Sequence, residues 1–255
     1  MGSLVKRRGG RVPTAPGSRC TRREALTALL VSAALLRARE SAGTDRRVVF
    51  AFVPALMRAR ALESILEQCI PGASVTVFGR YADFDAAMTQ AAPDAAIGPG
   101  DTLRSAGLRP VLTGMSGGST YETLLVLSKR KLSRNDFAGC RFGAVDIVGR
   151  TRLPKLVGEL LGLRHPPRVQ RVVKVTDLLP LLQLDLADAI LLPARFLADF
   201  LHMTELDFKV LQVESARLER ICVAFPRRGG DAAIEASLNS LSLAAQGALG
   251  VEGWR

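Results

Sequence analysis

The stretch Tyr121-Glu122-Thr123-Leu124-Leu125-Val126-Leu127-Ser128 decides how the rest of the chain is read. It is a long, extended, apolar run, and a Gly/Ser-rich loop precedes it instead of a helical pattern. Upstream the pattern alternates. Val48 to Val53 reads as a buried strand, and Met57 to Ile70 as a helix with Leu62, Ile65, Leu66 and Cys69 on one face, stopped by Pro71-Gly72. Ser74 to Phe78 is a period-two strand, Tyr81 to Ala91 a helix, and Asp94 to Ile97 a short strand. A short helix over 101–105 and a strand over 110–112 follow.

Downstream the alternation starts again. Strands are expected at Arg141 to Val145, Arg168 to Val173 and Ala189 to Leu192. Helices are expected at Leu153 to Leu161, Asp177 to Leu184 and Ala194 to Met203. A second extended run, Phe208 to Val213, leads to a strand at Ile221 to Phe225 and one closing helix, Asp231 to Leu249. Two β-α-β series joined by two long extended segments predict an α/β protein of two lobes. Each lobe is expected to be a mostly parallel sheet flanked by helices, with two hinge strands between them. Residues 44–122 and 214–255 form lobe one, and 123–213 form lobe two.

Charge points first to a phosphate-bearing partner. The 255 residues carry 35 Lys and Arg against 24 Asp and Glu, a formal +11. The distribution removes most of that implication. Up to Gly43, nine basic and two acidic side chains give +7, leaving +4 for the remainder. Residues 1–19 are rich in Gly, Pro and Arg without an apolar period, a composition that predicts no packed structure. Thr21-Arg22-Arg23-Glu24-Ala25-Leu26 then precedes an apolar run from Ala25 to Leu36 and a small-residue exit, Ser41-Ala42-Gly43. A basic region, a short apolar core and small residues make an export signal over 1–43. The paired arginines resemble a twin-arginine signal, which implies a periplasmic destination. A general-secretory signal or an uncleaved anchor has the same outline. Cys69, Cys140 and Cys222 follow the leader, so one disulfide or three free thiols are open.

Beyond the leader, four short stretches occur in a telling order. They are Asp94-Ala95-Ala96-Ile97-Gly98, then Gly118 to Ser128, then Leu132-Ser133-Arg134-Asn135-Asp136-Phe137-Ala138-Gly139, then Leu186-Ala187-Asp188-Ala189-Ile190. Their order and spacing resemble the type-2 periplasmic solute-binding proteins of ABC importers, especially the phosphonate-binding branch. The resemblance covers nearly all of the chain after the leader. It implies a monomer that needs no cofactor, catalyses nothing and captures a small anion between its lobes for an ABC permease. A periplasmic sensor with the same fold is the alternative. The chain departs from the family where Val148-Gly149-Arg150-Thr151 replaces a Ser/Thr-rich turn, and where Asp185 replaces a small residue.

Ligands of open α/β sheets sit beyond the carboxyl ends of strands, where helix N-termini favour anions. Two loops fall there. Ser116-Gly117-Gly118-Ser119-Thr120 offers hydroxyls and backbone donors for a nest, with Tyr121 as a phenolic donor. Gly149-Arg150-Thr151 opens a helix, and Arg150 suits bidentate contact with an oxyanion. An ordinary Gly/Ser turn and a solvated surface Arg fit the same residues. Pro54, Arg80, Tyr81 and Asp188 are weaker candidates at the same edges.

A hydrolase reading competes. Gly114-Met115-Ser116-Gly117-Gly118 matches a nucleophile elbow, and Asp188 and His202 follow in the matching chain order. An elbow needs a helix directly after its serine, and here an extended run follows. His165 and His202, the only histidines, have no metal-ligand spacing. No metal or nucleic-acid site is expected.

Overall fold

The computed structural model describes residues 46–227 and 230–255. The expected export signal over 1–43, with its twin-arginine pattern, lies outside the described residues. Among the described residues, no helix is long and apolar enough to cross a membrane.

The first series builds β1 (Arg47–Ala51), α1 (Ala59–Cys69), β2 (Ala73–Val77), α2 (Tyr81–Gln90), β3 (Ala95–Pro99), α3 (Gly100–Ser105) and β4 (Leu112–Met115). The second builds β5 (Tyr121–Ser128), β6 (Arg141–Val145), α4 (Leu153–Leu161), β7 (Arg168–Val172), α5 (Leu178–Gln183), β8 (Ala189–Pro193) and α6 (Leu197–His202). The chain returns through β9 (Lys209–Glu219) and β10 (Ile221–Ala224), then α7 (Ala232–Asn239), α8 (Leu243–Leu249) and β11 (Gly253–Trp254). Two sheets result, in the orders β11-β4-β10-β3-β1-β2 and β7-β6-β8-β5-β9.

Both sheets are mixed, which corrects the mostly parallel expectation. β1 pairs in parallel with β2 and β3, and β6 with β7 and β8, as crossover helices require. β10, β5, β9 and β11 run antiparallel to their neighbours. Of these, β5 and β10 follow the preceding strand with no helix between, so no crossover sets them parallel to a neighbour. The chain passes from the first sheet to the second between Met115 and Tyr121, and back between Glu219 and Ile221. The expected second extended run is the first half of an eleven-residue strand, β9.

The closing helix divides in two. Ser240 Oγ donates back to the carbonyls of Ala236 and Ser237, and Ser242 Oγ accepts from Ala245 N–H to start α8. Serine side chains thus end one helix and cap the next, against an apolar period that runs through both. Trp254, on the short β11, donates from its indole to Leu238 O at 2.8 Å.

One apolar cluster runs through both lobes. Phe50, Phe52, Phe84 and Leu103 from the first pack into it with Phe142, Ile147, Val148 and Leu153 from the second. Cys69, Cys140 and Cys222, the three cysteines among the described residues, are free thiols, and burial pushes the Cys222 thiol up to about 12. Gly143, on β6, leaves no room for a side chain: an added Cβ would lie 2.7 Å from Leu181 Cδ1 and 2.9 Å from Ile190 Cγ2. Gly143→Ala is expected to destabilise the protein by about 1–3 kcal/mol through overpacking, read as a lower urea midpoint with an unchanged slope.

Candidate functional site

The carboxyl ends of β1 and β2 face the carboxyl end of β7 across a cavity of about 380 Å³. On the first-lobe side, the segment 53–58 carries the chain from β1 into α1. No side chain caps α1, and Ala61 and Leu62 N–H donate to Arg58 O, which leaves the Ala59 and Arg60 N–H groups at its N-terminus, where Ala59 lines the cavity. On the second-lobe side, residues 173–176 line the cavity. Phe52, Leu62, Val77 and Phe78 form an apolar floor, and Arg58, Lys174 and Thr176 supply the polar side chains. Among the described residues, no carboxylate lines it. Arg58 and Lys174 are exposed, which keeps both cations hydrated.

Beside this cavity the lobes touch along a seam. Thr102, fully buried on α3, donates to Ile147 O at 2.7 Å. Ser105 Oγ donates to Val148 O at 3.2 Å and accepts from Arg152 Nη1 at 2.9 Å. Tyr81 O–H lies 3.1 Å from Ser105 Oγ, and its ring covers Gly149. Gly149 has φ +87°, and an added Cβ would come within 3.1 Å of Tyr81 Cε1, so both backbone and neighbour require glycine there. Its N–H donates to Asp146 Oδ1, whose carboxylate also holds Arg171.

The Ser116 to Thr120 loop is a tight turn at the crossing between the sheets. Ser116 and Ser119 exchange two backbone hydrogen bonds, with Gly117 and Gly118 both at positive φ. In place of the expected nest of backbone donors for a ligand, one backbone N–H and one hydroxyl point at the chain's own Glu252. Gly117 N–H donates to Glu252 Oε2 at 2.8 Å and Ser116 Oγ to Oε1 at 2.9 Å. These donors, the backbone one foremost, hold the Glu252 carboxyl below its ordinary range. Ser119 turns back on Tyr121, donating to its carbonyl and accepting from its N–H. Thr120 O accepts from Arg220 N–H, and the Tyr121 side chain is half exposed.

The two loops singled out in the sequence therefore stand apart. Ser116 lines a second cavity, at the hinge. Gly149 lies in the seam, and Arg150 and Thr151 are exposed just ahead of α4. Pro54 borders the cleft cavity. Arg80 is exposed and pairs with Asp83. Ser116, Asp188 and His202 are not brought together. Ser116 engages Glu252, Asp188 is held by the Arg141 side chain and backbone in the second sheet, and His202 is exposed at the end of α6.

Several residues escaped the sequence reading. Thr102 and Ser105 sit on a one-and-a-half-turn helix with no motif of its own. Arg195 follows β8 and joins three segments through Glu122 Oε1 at 3.3 Å and the carbonyls of Pro54 and Leu249, each at 3.2 Å. Burial lowers the Arg195 pKa and raises that of Glu122, while Arg195 and Arg220 pull Glu122 back down. The one available signal was Glu122 itself, a lone charge at the start of an apolar strand.

No family model and no curated protein sequence matches the chain. Solved structures do. XAC2383 from Xanthomonas citri, bound to ATP, superimposes with a TM-score of 0.58 at 13% identity, over 82% of this chain and 90% of its own. The GluR0 ligand-binding core from Nostoc punctiforme, in complex with L-glutamate, gives 0.52 at 12%, over 76% and 92%. The arginine-bound ArgBP from T. maritima, as its Gly52Ala mutant, gives 0.52 at 12%, over 80% and 99%. The chain has the two-lobed periplasmic-binding-protein fold. In this fold the seam and the cleft cavity lie between the lobes.

Two outcomes are expected. Replacing Thr102 by Val and Ser105 by Ala together removes the hydroxyl contacts of the seam, at a cost of about 1–3 kcal/mol. Amide exchange over 146–150 is expected to accelerate, and the radius of gyration from solution scattering to rise. For Glu252, the depressed pKa means its stabilising contribution is present above the ordinary carboxylate range and lost as pH falls through the folded-state value. The melting-temperature gap between wild type and Glu252→Gln is expected to close on acidification.

Proposed function

We propose that this chain is an exported, non-enzymatic solute-binding protein that closes its lobes on a small anion with an apolar body, for an ABC-type importer in the periplasm. One observation supports the anionic choice most directly. The cleft cavity carries Arg58 and Lys174 over an apolar floor, and no carboxylate lines it among the described residues. The volume of about 380 Å³ falls within the range of small-molecule sites, roughly 300–1,000 Å³. A carboxylate, phosphonate or similar oxyanion would meet the two cations and the first-turn N–H groups of α1, while its body covers Phe52 and Phe78.

The same lining argues against a ligand like arginine or glutamate, bound by structural neighbours, because nothing in it neutralises an ammonium or guanidinium group. In this reading the lobes comprise 44–122 with 214–255, and 123–213. Gly149, Arg150 and Thr151 flank the seam, and Arg150 is a third cation within reach of a ligand admitted as it opens. Ser119, Thr120 and Tyr121 serve the hinge.

Thermal-shift and calorimetric screening tests the proposal. The panel is phenylacetate, phenylphosphonate, 4-methyl-2-oxopentanoate and inorganic phosphate, against phenethylamine and arginine. An anion at 100 times its dissociation constant is expected to add about 2.7 kcal/mol of stability. Arg58→Ala with Lys174→Ala is expected to weaken the bound anion at least about tenfold. Tighter binding of the amines than of the anions would overturn the reading.

A further inference from the structure

At the crossing between the lobes lies a second cavity, of about 420 Å³, separate from the cleft cavity in every lining residue. Its walls come from the turn at Ser116, from Glu122 and Thr123 on β5, from Arg195 and Arg220, and from α8 and the Gly250 to Glu252 segment that follows it. Glu122 is 6% exposed. Its Oε1 is enclosed and at ion-pair distance from Arg195 Nε, which leaves Oε2 as the oxygen open to the cavity. A carboxylate with one such partner keeps acceptor capacity for a further donor.

The other groups show which chemistry would meet it. Arg195 is spent on Glu122 and two carbonyls. Glu252 is spent on Ser116 and Gly117. Arg220 donates from Nε to Ser119 O and from Nη1 to Gly250 O, which leaves its Nη2 amino group for a further acceptor. Two carboxylates face two guanidinium groups, so the lining is neutral overall and favours a guest of no net charge.

We infer that the hinge cavity is a second binding site, for a small zwitterion whose protonated amine donates to Glu122 and whose carboxylate accepts from Arg220. The inference rests on residues that play no part in the anion proposal, so either can fail alone.

The full-length protein titrated with glycine, L-alanine and L-serine tests it, with glycine betaine as control because its nitrogen carries no N–H. The amino acids are expected to bind and betaine not to. Backbone amide signals of Gly247 and Gly250 are expected to shift in the NMR spectrum, while that of Gly79, in the cleft cavity, stays in place. Glu122→Gln and Arg220→Met are each expected to weaken binding at least about tenfold. Should either variant fail to fold, the NMR shifts and the betaine comparison on wild type decide the matter. No binding of any of the three amino acids, equal binding of betaine, or shifts at Gly79 in place of Gly247 and Gly250 would overturn the inference.

Discussion

The pairing of β5 with β9 is the constraint on which the rest depends. From Tyr121 opposite Glu219 to Ser128 opposite Lys209, with a bulge near Thr123 to Leu125, it lays the two interlobe segments side by side. Both lobe crossings therefore occur at one edge of the molecule, and the opposite edges of the sheets are free to approach or part. Had the two segments been distant, rotation of one lobe would have strained at least one of them. The bulge falls where the ladder leaves the crossing, a place where extra twist is useful.

Around that ladder the polar groups are arranged by how much water reaches them. Glu122 and Arg195 are buried at the hinge and depend on each other, which makes removal of one partner alone costly. Gly100 meets the same demand from the other side. It opens α3 against the Glu219 carboxylate, which pairs with Arg104, and a side chain there would collide with that carboxylate. Arg58 and Lys174, at the cleft, remain exposed and are not paired to each other's lobe. Charge is paired where the lobes are joined and solvated at the cleft.

The lobes themselves were legible because each depends on local signals: apolar runs of strand length, helical periods, and Pro or Gly stops. Tyr121 to Ser128 was the most informative stretch, since a long strand with no helix before it marks the break in the alternation. The sites were far less legible. The Ser116 to Thr120 loop reads as donors for a ligand, whereas the acceptor of Ser116 Oγ and Gly117 N–H is Glu252, 135 residues or more along the chain on a two-residue strand's approach. Thr102 and Ser105 act on carbonyls of 147 and 148, and backbone acceptors leave no trace in side-chain identity. The split at Ser240 to Ser242 was hidden for a related reason: the apolar period of the helix is continuous, and only the serine hydrogen bonds break it.

The shared apolar cluster sets a condition on how such a protein can work. Phe52, Tyr81, Leu103, Ile147 and Val148 are all buried where the lobes meet, so parting them exposes apolar surface from both walls. At about 25 cal/mol per Å², even a few hundred Å² of such exposure amounts to several kcal/mol. The three seam hydrogen bonds at Thr102, Ser105 and Arg152 add about 1 kcal/mol each, a smaller term. Closure without ligand is thus driven mainly by apolar contact, and a ligand shifts the balance only by what it gains in one state over the other. In the proposed reading, the guest's apolar body would replace the contact it displaces, and its charge would meet cations the closed seam leaves in water.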